Sequence, residues 1–213
     1  MSSRPPIVVV VVVALTLVLL SCASGCHSSG TSEGHDIIVA DGKRDTERAR
    51  KEHERAYDLI REHKYDEAEK VCKRALKADI MFGPAHNNLG LVYYYQNKLY
   101  AAAWEFQNAI KLMPYQAEPR NNLGLVFERA GKINSAAEAY TKAHEIQPDN
   151  PEFLGNLARA SVRMGESTDE TRRLLEELVL KDDRPEWRDW AMSTLLRIND
   201  GRDRPSTTSS PQR

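Results

Sequence analysis

The side chains that could do chemistry in this chain are spaced for binding, and no set of them is arranged for catalysis. Asn88, Asn122 and Asn156 stand 34 residues apart. A side-chain amide both donates and accepts hydrogen bonds, which suits the backbone of an extended peptide. The same spacing suits contacts between successive structural units, and the sequence leaves both readings open. Arg129, Arg159 and Arg163 fall in the same stretch. A guanidinium holds a carboxylate through two parallel hydrogen bonds, so these arginines point to acidic residues or a free carboxyl terminus in a ligand, with a solvated charged face as the alternative. Tyr93, Tyr94 and Tyr95 form an aromatic run, and tyrosine is favoured where binding energy concentrates. The histidines (His27, His35, His53, His63, His86 and His144) show no metal-ligand spacing, and no glycine-rich phosphate loop or nucleophile elbow is present. The sequence therefore predicts no enzyme, no cofactor and no small-molecule substrate.

Groups that recur at a fixed interval need a recurring element to position them. Gly83–Gln116 and Ala117–Asn150 are two such units, aligned without a gap. Leu89, Gly90, Tyr93, Ala102, Phe106, Ala109 and Pro114 match Leu123, Gly124, Phe127, Ala136, Tyr140, Ala143 and Pro148. A period of this length means a stacked array. In each half-unit the apolar and small residues recur at helical spacing. Small residues at Gly90/Ala102 and Gly124/Ala136 let two antiparallel helices approach closely, with aromatics filling the space beside them. Asn97-Lys98 and Gly131-Lys132 break the pattern at a turn, and Pro114 and Pro148 end the second helix.

The same pattern extends in both directions. Residues 49–82 keep Ala56, Leu59, Ala68, Cys72 and Ala75, with Ile80 in the place of proline. Residues 151–183 keep Leu154, Leu157, Ala158 and the turn at Gly165. Their second helix, with Leu174, Leu175 and Leu178, fits best with one inserted residue. An amphipathic run over 185–198 then places Trp187, Ala191, Leu195 and Ile198 on one face as a lid, with Trp187 and Trp190 read as its core. The spaced identities resemble the tetratricopeptide repeat. That resemblance implies an all-α fold, a right-handed α-solenoid of about four helical hairpins plus a C-terminal capping helix, and protein or peptide binding as the kind of work. The repeat domain is expected over 45–198.

The first helices of such an array line its inner surface. In this register the expected groove carries Tyr57 from the first repeat, Asn88, Leu91 and Tyr95 from the second, Asn122, Leu125 and Arg129 from the third, and Asn156, Arg159 and Arg163 from the fourth. Tyr94 and Tyr95 are expected at the groove or its edge. Family members with a carboxylate clamp hold chaperone tails. The corresponding positions here are His53 and Tyr57, then Asn88, then Glu118 and Asn122, and only the middle one matches, so clamp binding is not expected. Cys72 stands where the family places a bulky residue and reads as a buried structural thiol.

The N-terminus has a different composition. In Met1–Ser21, Arg4 precedes a fourteen-residue apolar or small run, Ile7–Leu20, and small residues follow. This is the layout of a secretory signal, and the run is short for a membrane span, which needs about 20 apolar residues. Leu19-Leu20-Ser21-Cys22 resembles a bacterial lipobox, which implies lipidation at Cys22. Cys26 is the other candidate, although Ala23 stands in place of the aliphatic residue at the third position before it. The lipobox resemblance implies a cell-envelope protein anchored to a membrane by lipid. Ala23, rather than aspartate, after Cys22 implies the periplasmic side of the outer membrane. Cys22, Cys26 and His27 also resemble a haem attachment motif with one residue too many between the cysteines, and no haem-enclosing domain surrounds them.

Residues 22–44, rich in Ser, Gly and His, read as a flexible tether reaching about 25 Å, and 199–213 as a disordered tail. The chain has 213 residues, with 30 Lys and Arg against 31 Asp and Glu, and carries no basic run. This balance argues against nucleic-acid binding. The expected function is a membrane-anchored scaffold or assembly factor that binds a protein or peptide in its groove. The narrower alternative is a pilot-type lipoprotein escorting a secretin or another outer-membrane component. Known pilots of that type carry more repeats than this chain has room for.

Overall fold

Turn chemistry sets the hairpins. His63, Asn97, Gly131 and Gly165 recur every 34 residues and all adopt left-handed backbone, with φ of 59°, 61°, 73° and 76°. Glycine does this freely, and Asn and His are among the few other residues found there. In the first three turns the next amide, that of Lys64, Lys98 or Lys132, donates back to the carbonyl of Leu59, Tyr93 or Phe127 at 2.9, 2.8 and 2.9 Å. This closes the helix end and reverses the chain. The computed structural model describes residues 42–165 and 168–200. The expected targeting segment, Cys22 and Cys26, most of the expected tether and the residues beyond Asp200 lie outside the described residues.

Among the described residues there are helices and no strands: α1 (Thr46–Arg61), α2 (Tyr65–Ala78), α3 (Gly83–Tyr95), α4 (Leu99–Leu112), α5 (Glu118–Arg129), α6 (Ile133–Ile146), α7 (Pro151–Arg163), α8 (Asp169–Lys181) and α9 (Pro185–Asn199). Helices α3, α5, α7 and α9 carry proline in their first turn, where its missing N–H has no partner to lose. Consecutive helices pair as α1/α2, α3/α4, α5/α6 and α7/α8, and α9 closes the stack against α8. Each first helix also touches the first helix of the next hairpin, while no comparable contact joins the second helices. The stack is therefore tighter on the first-helix side, which is its inner face.

Within a hairpin, one position on the first helix and one on the second set the closeness. A Cβ on Gly90 would lie 2.7 Å from the Phe106 ring, and one on Gly124 2.6 Å from Cδ1 of Tyr140. Both rings are fully buried. In the first hairpin the glycine is replaced by Ala56 and the ring by Cys72, so the larger residue on one helix is matched by a smaller one on the other. Burial pushes the Cys72 thiol up to about 12, with Glu105 and Glu69 adding to the effect, and the thiol stays neutral. In the fourth hairpin Ala158 meets Leu175. Residue Leu175 lies 35 positions after Tyr140, in keeping with the inserted residue. The core runs as clusters, each joining neighbouring units: Ala56 to Val92, Ala102 to Val126, Ala136 to Ala160, and Leu154 to Ala191. No hairpin buries its apolar face alone, so the repeats stabilise one another.

A polar latch closes the N-terminal end. Asp79, 1% exposed, accepts from Arg44 Nε at 2.9 Å, Arg44 Nη2 at 3.1 Å, Thr46 Oγ1 at 2.7 Å and the Met81 amide at 3.1 Å. The Arg44 hydrogen bond holds its carboxyl below the usual range, with Thr46 and Met81 helping against the opposing effect of burial. A carboxyl with a depressed folded pKa contributes stability above its unfolded value, near pH 4, and loses that contribution as pH falls through the folded value. Asp79→Asn is expected to lower stability at neutral pH by about 1–2 kcal/mol and to flatten the decline below pH 4. Urea titrations at several pH values read this, and parallel profiles for the two proteins would exclude the latch.

Candidate functional site

The inner face of the stack is built from α1, α3, α5 and α7, and the asparagine interval appears on it as a ladder between hairpins. Asn88 donates through Nδ2 to the His53 carbonyl at 3.3 Å and lies 2.9 Å from His53 Nδ1. Asn122 Nδ2 donates to Asn87 Oδ1 at 3.0 Å, and Asn156 Nδ2 to Asn121 Oδ1 at 2.8 Å. Asn88 and Asn156 are 3% and 4% exposed, and Asn122 is half-buried. The donors of all three are directed at the preceding hairpin, so these residues stand behind the groove wall and bind the array together. Sequence reading alone passed over the acceptors. The doubled Asn87-Asn88 and Asn121-Asn122 were the available signal, since one asparagine of each pair faces back along the stack and the other forward. The series stops at Gly155, which offers no side chain; a Cβ there would lie 3.0 Å from the Trp187 ring of α9. The cap sits where the next acceptor would have been.

The expected groove residues that remain open form a strip along the C-terminal ends of the first helices. Tyr57 and Tyr95 are about half exposed, at 51% and 49%. Tyr95 stacks on Tyr65 with ring centroids 4.9 Å apart and meets the edge of Tyr94 at 5.5 Å. Leu91 and Leu125 are half-buried and pack on the core clusters of their hairpins. The Arg129 guanidinium lies 4.1 Å from the centroid of the Tyr94 ring and donates to the Tyr94 carbonyl at 2.9 Å. This joins the strip to the arginines of the C-terminal half by a cation–π contact.

Two of those arginines, Arg159 and Arg163, converge on one carboxylate, Glu128, which sequence reading did not single out. Arg159 grips it with Nε at 3.2 Å and Nη2 at 2.9 Å, Arg163 Nη1 adds a bond of 2.6 Å, and the Tyr140 hydroxyl donates at 2.8 Å. Burial alone would raise the Glu128 carboxyl, but the donors from Arg159, Tyr140 and Arg163 outweigh it and hold it below the usual range. The Tyr140 hydroxyl is pushed far up by its burial and by Glu128. The two-pronged carboxylate contact expected of these arginines is thus made by Arg159 within the chain. Arg129 has no carboxylate partner among the described residues, and Arg163, exposed, shares Glu128 with Arg159. Around them lies an open depression of about 300 Å³ lined by Tyr94, Leu125, Glu128, Arg129, Arg159 and Arg163. Three guanidinium groups around one carboxylate leave an excess of positive charge beside an aromatic wall and an apolar floor.

Two tetratricopeptide repeat models match the chain, over residues 53–119 and 128–190, and together they take in more than half of it. The chain belongs to the tetratricopeptide repeat family. Comparison with curated proteins gives no match. Among solved structures, pilF of Pseudomonas aeruginosa is 18% identical with a TM-score of 0.65, over 73% of this chain and 70% of that one. YrrB, a tetratricopeptide protein with an unusual peptide-binding site, is 16% identical with a TM-score of 0.60, over 71% and 77%. The first tetratricopeptide domain of Spaghetti (RPAP3), bound to the HSP90 peptide SRMEEVD, is 21% identical with a TM-score of 0.56, over 59% of this chain and all of that one. At these identities the likeness is one of fold. Tetratricopeptide hairpins are a protein-interaction scaffold, and the depression lies on their inner face.

Proposed function

We propose that this chain is a lipid-anchored scaffold or assembly factor of the bacterial cell envelope that binds an acidic segment of a partner protein on its inner face. The observation that carries the reading is the depression across α3, α5 and α7, where Arg129 and Arg163 stand beside Tyr94 and Leu125. Tyr94 is half-buried, and tyrosine and arginine side by side are the residue types on which binding energy concentrates. Anchoring rests on the lipobox-like Leu19-Leu20-Ser21-Cys22, whose acyl chains would each contribute about 0.8 kcal/mol per buried methylene. The narrower reading, a pilot-type lipoprotein for an outer-membrane component, rests on the same combination of lipobox and tetratricopeptide hairpins.

One capture experiment tests both parts. The full chain is crosslinked in membranes and purified, as wild type, as Arg129→Glu/Arg163→Glu, and as Cys22→Ser. The partner is expected with wild type and depleted about tenfold or more with the charge-reversed variant, the loss of one or two charge-assisted contacts. Circular dichroism checks that this variant is folded. Equal capture by both would remove the inner face as the site. Cys22→Ser is expected in the soluble fraction without acyl label, and label that persists would overturn the anchor.

A further inference from the structure

A second cavity opens on the opposite side of the stack, between the second helices α6 and α8, with α7 as its floor. Its volume is about 410 Å³, within the range of ligand pockets. The fourth hairpin is unlike the other three here. Its connection runs over 164–168, against three residues at 62–64, 96–98 and 130–132. Met164, at the start of that connection, lines the cleft. Leu157, Met164 and Leu174 form its apolar part, and Glu138 and Glu170 stand on its rim from α6 and α8. Both glutamates are exposed, and neither has an ion-pair or hydrogen-bond partner among the described residues. Ser161 lines the cleft from α7 and is only 7% exposed. Its hydroxyl has no hydrogen-bond partner among the described residues, which leaves it able to accept from a ligand in the cleft.

We propose that this cleft binds a lysine or arginine side chain presented by a segment of a partner protein. The chemistry follows from the lining. A long cationic side chain is apolar along its stem and charged at its tip. The stem fits against Leu157, Met164 and Leu174, the tip reaches the two unpaired carboxylates, and the Ser161 hydroxyl takes a donor from the segment. Two carboxylates with no cation of their own complement that charge, as the surplus arginines of the inner face complement an acidic one. The chain then has two faces of opposite preference, suited to holding two partners, or two segments of one partner, at once.

The test uses the full chain with a fluorescein-labelled, capped tetralysine peptide, read by anisotropy at low salt and by amide chemical-shift changes. Binding is expected to perturb the amides of Ser161 and Leu174. Glu138→Gln/Glu170→Gln is expected to weaken binding about tenfold, the sum of two exposed charge contacts. Both side chains are exposed and unbonded, and Glu170 lies in the first turn of α8, so this variant stays folded with at most a small fall in melting temperature. Ser161→Ala is expected to weaken binding further. Tetralysine binding that survives the double glutamine change, or shifts confined to other surfaces, would overturn the proposal. Competition by spermine as effective as by unlabelled tetralysine would also overturn it, in favour of a polyamine site. Because the readout does not involve the inner depression, failure of either site leaves the other standing.

Discussion

Gly124→Leu is expected to lower the stability of the repeat domain by about 3 kcal/mol, the upper part of the range for overpacking a core. For a domain of this size that corresponds to a fall in Tm of about 6–12 °C. The cause is local and specific. A Cβ on Gly124 would lie 2.6 Å from Cδ1 and 2.9 Å from Cζ of the Tyr140 ring. That ring has nowhere to retreat, because it is fully buried and its hydroxyl is held by Glu128 at 2.8 Å. Gly124→Ala separates two opposing effects. Alanine gains about 1 kcal/mol of helix propensity over glycine, and the clash exceeds this, so a smaller net loss is expected. The first hairpin suggests the compensating change, since Ala56 there faces Cys72. The double variant Gly124→Ala/Tyr140→Cys should therefore lose less than its two single variants together, a coupling that a double-mutant cycle reads. Additive losses would mean that these two positions do not meet.

The hairpins were legible because they rest on local rules that recur along the chain. Small residues facing aromatics, a break at the turn and a proline after the second helix are all visible in the second unit and repeated in the third. Replacement of the glycine–aromatic pair by Ala56 and Cys72 was half legible. Cys72 was recognised as a small residue in a large residue's place, but the compensating position on the facing helix emerges only when both helices are seen together. Glu128 was missed for a different reason. On the sequence it is one of 31 acidic residues at a position that reads as solvated helix surface, and only the superposition of α5 and α7 brings Arg159 and Arg163 onto it. The same superposition changed what the arginines offer. Arg159 was expected to receive a ligand carboxylate and is engaged by an internal one, which leaves Arg129 and Arg163 as the more available cations. Long side chains that act across hairpins escape single-repeat reasoning, because the sequence gives their interval and not their direction.

The triple variant Asn88→Ala/Asn122→Ala/Asn156→Ala decides between the two readings of the asparagines, and it is expected to lose stability by about 3–9 kcal/mol. Each substitution removes one amide that bonds to the preceding hairpin. Each also leaves a polar group of that hairpin, at His53, Asn87 or Asn121, without its partner, at about 1–3 kcal/mol apiece. Against a domain stability of about 5–15 kcal/mol this is a large fraction. The form of the transition is as informative as its midpoint. The stability of stacked repeats is the sum of weak intrinsic terms and nearest-neighbour interface terms, and the three bonds belong to three successive interfaces. Losing them together should let hairpins unfold more independently, so the urea transition should broaden as well as move to lower denaturant. A variant that melts like wild type while no longer capturing its partner would show the opposite, that the amides serve the ligand and the hairpin contacts contribute nothing measurable. Single substitutions rank the rungs: Asn156 should cost most, because its loss strands Asn121, 1% exposed, where water does not reach, whereas His53 and Asn87, left behind by loss of Asn88 and Asn122, are half-buried and water can satisfy them.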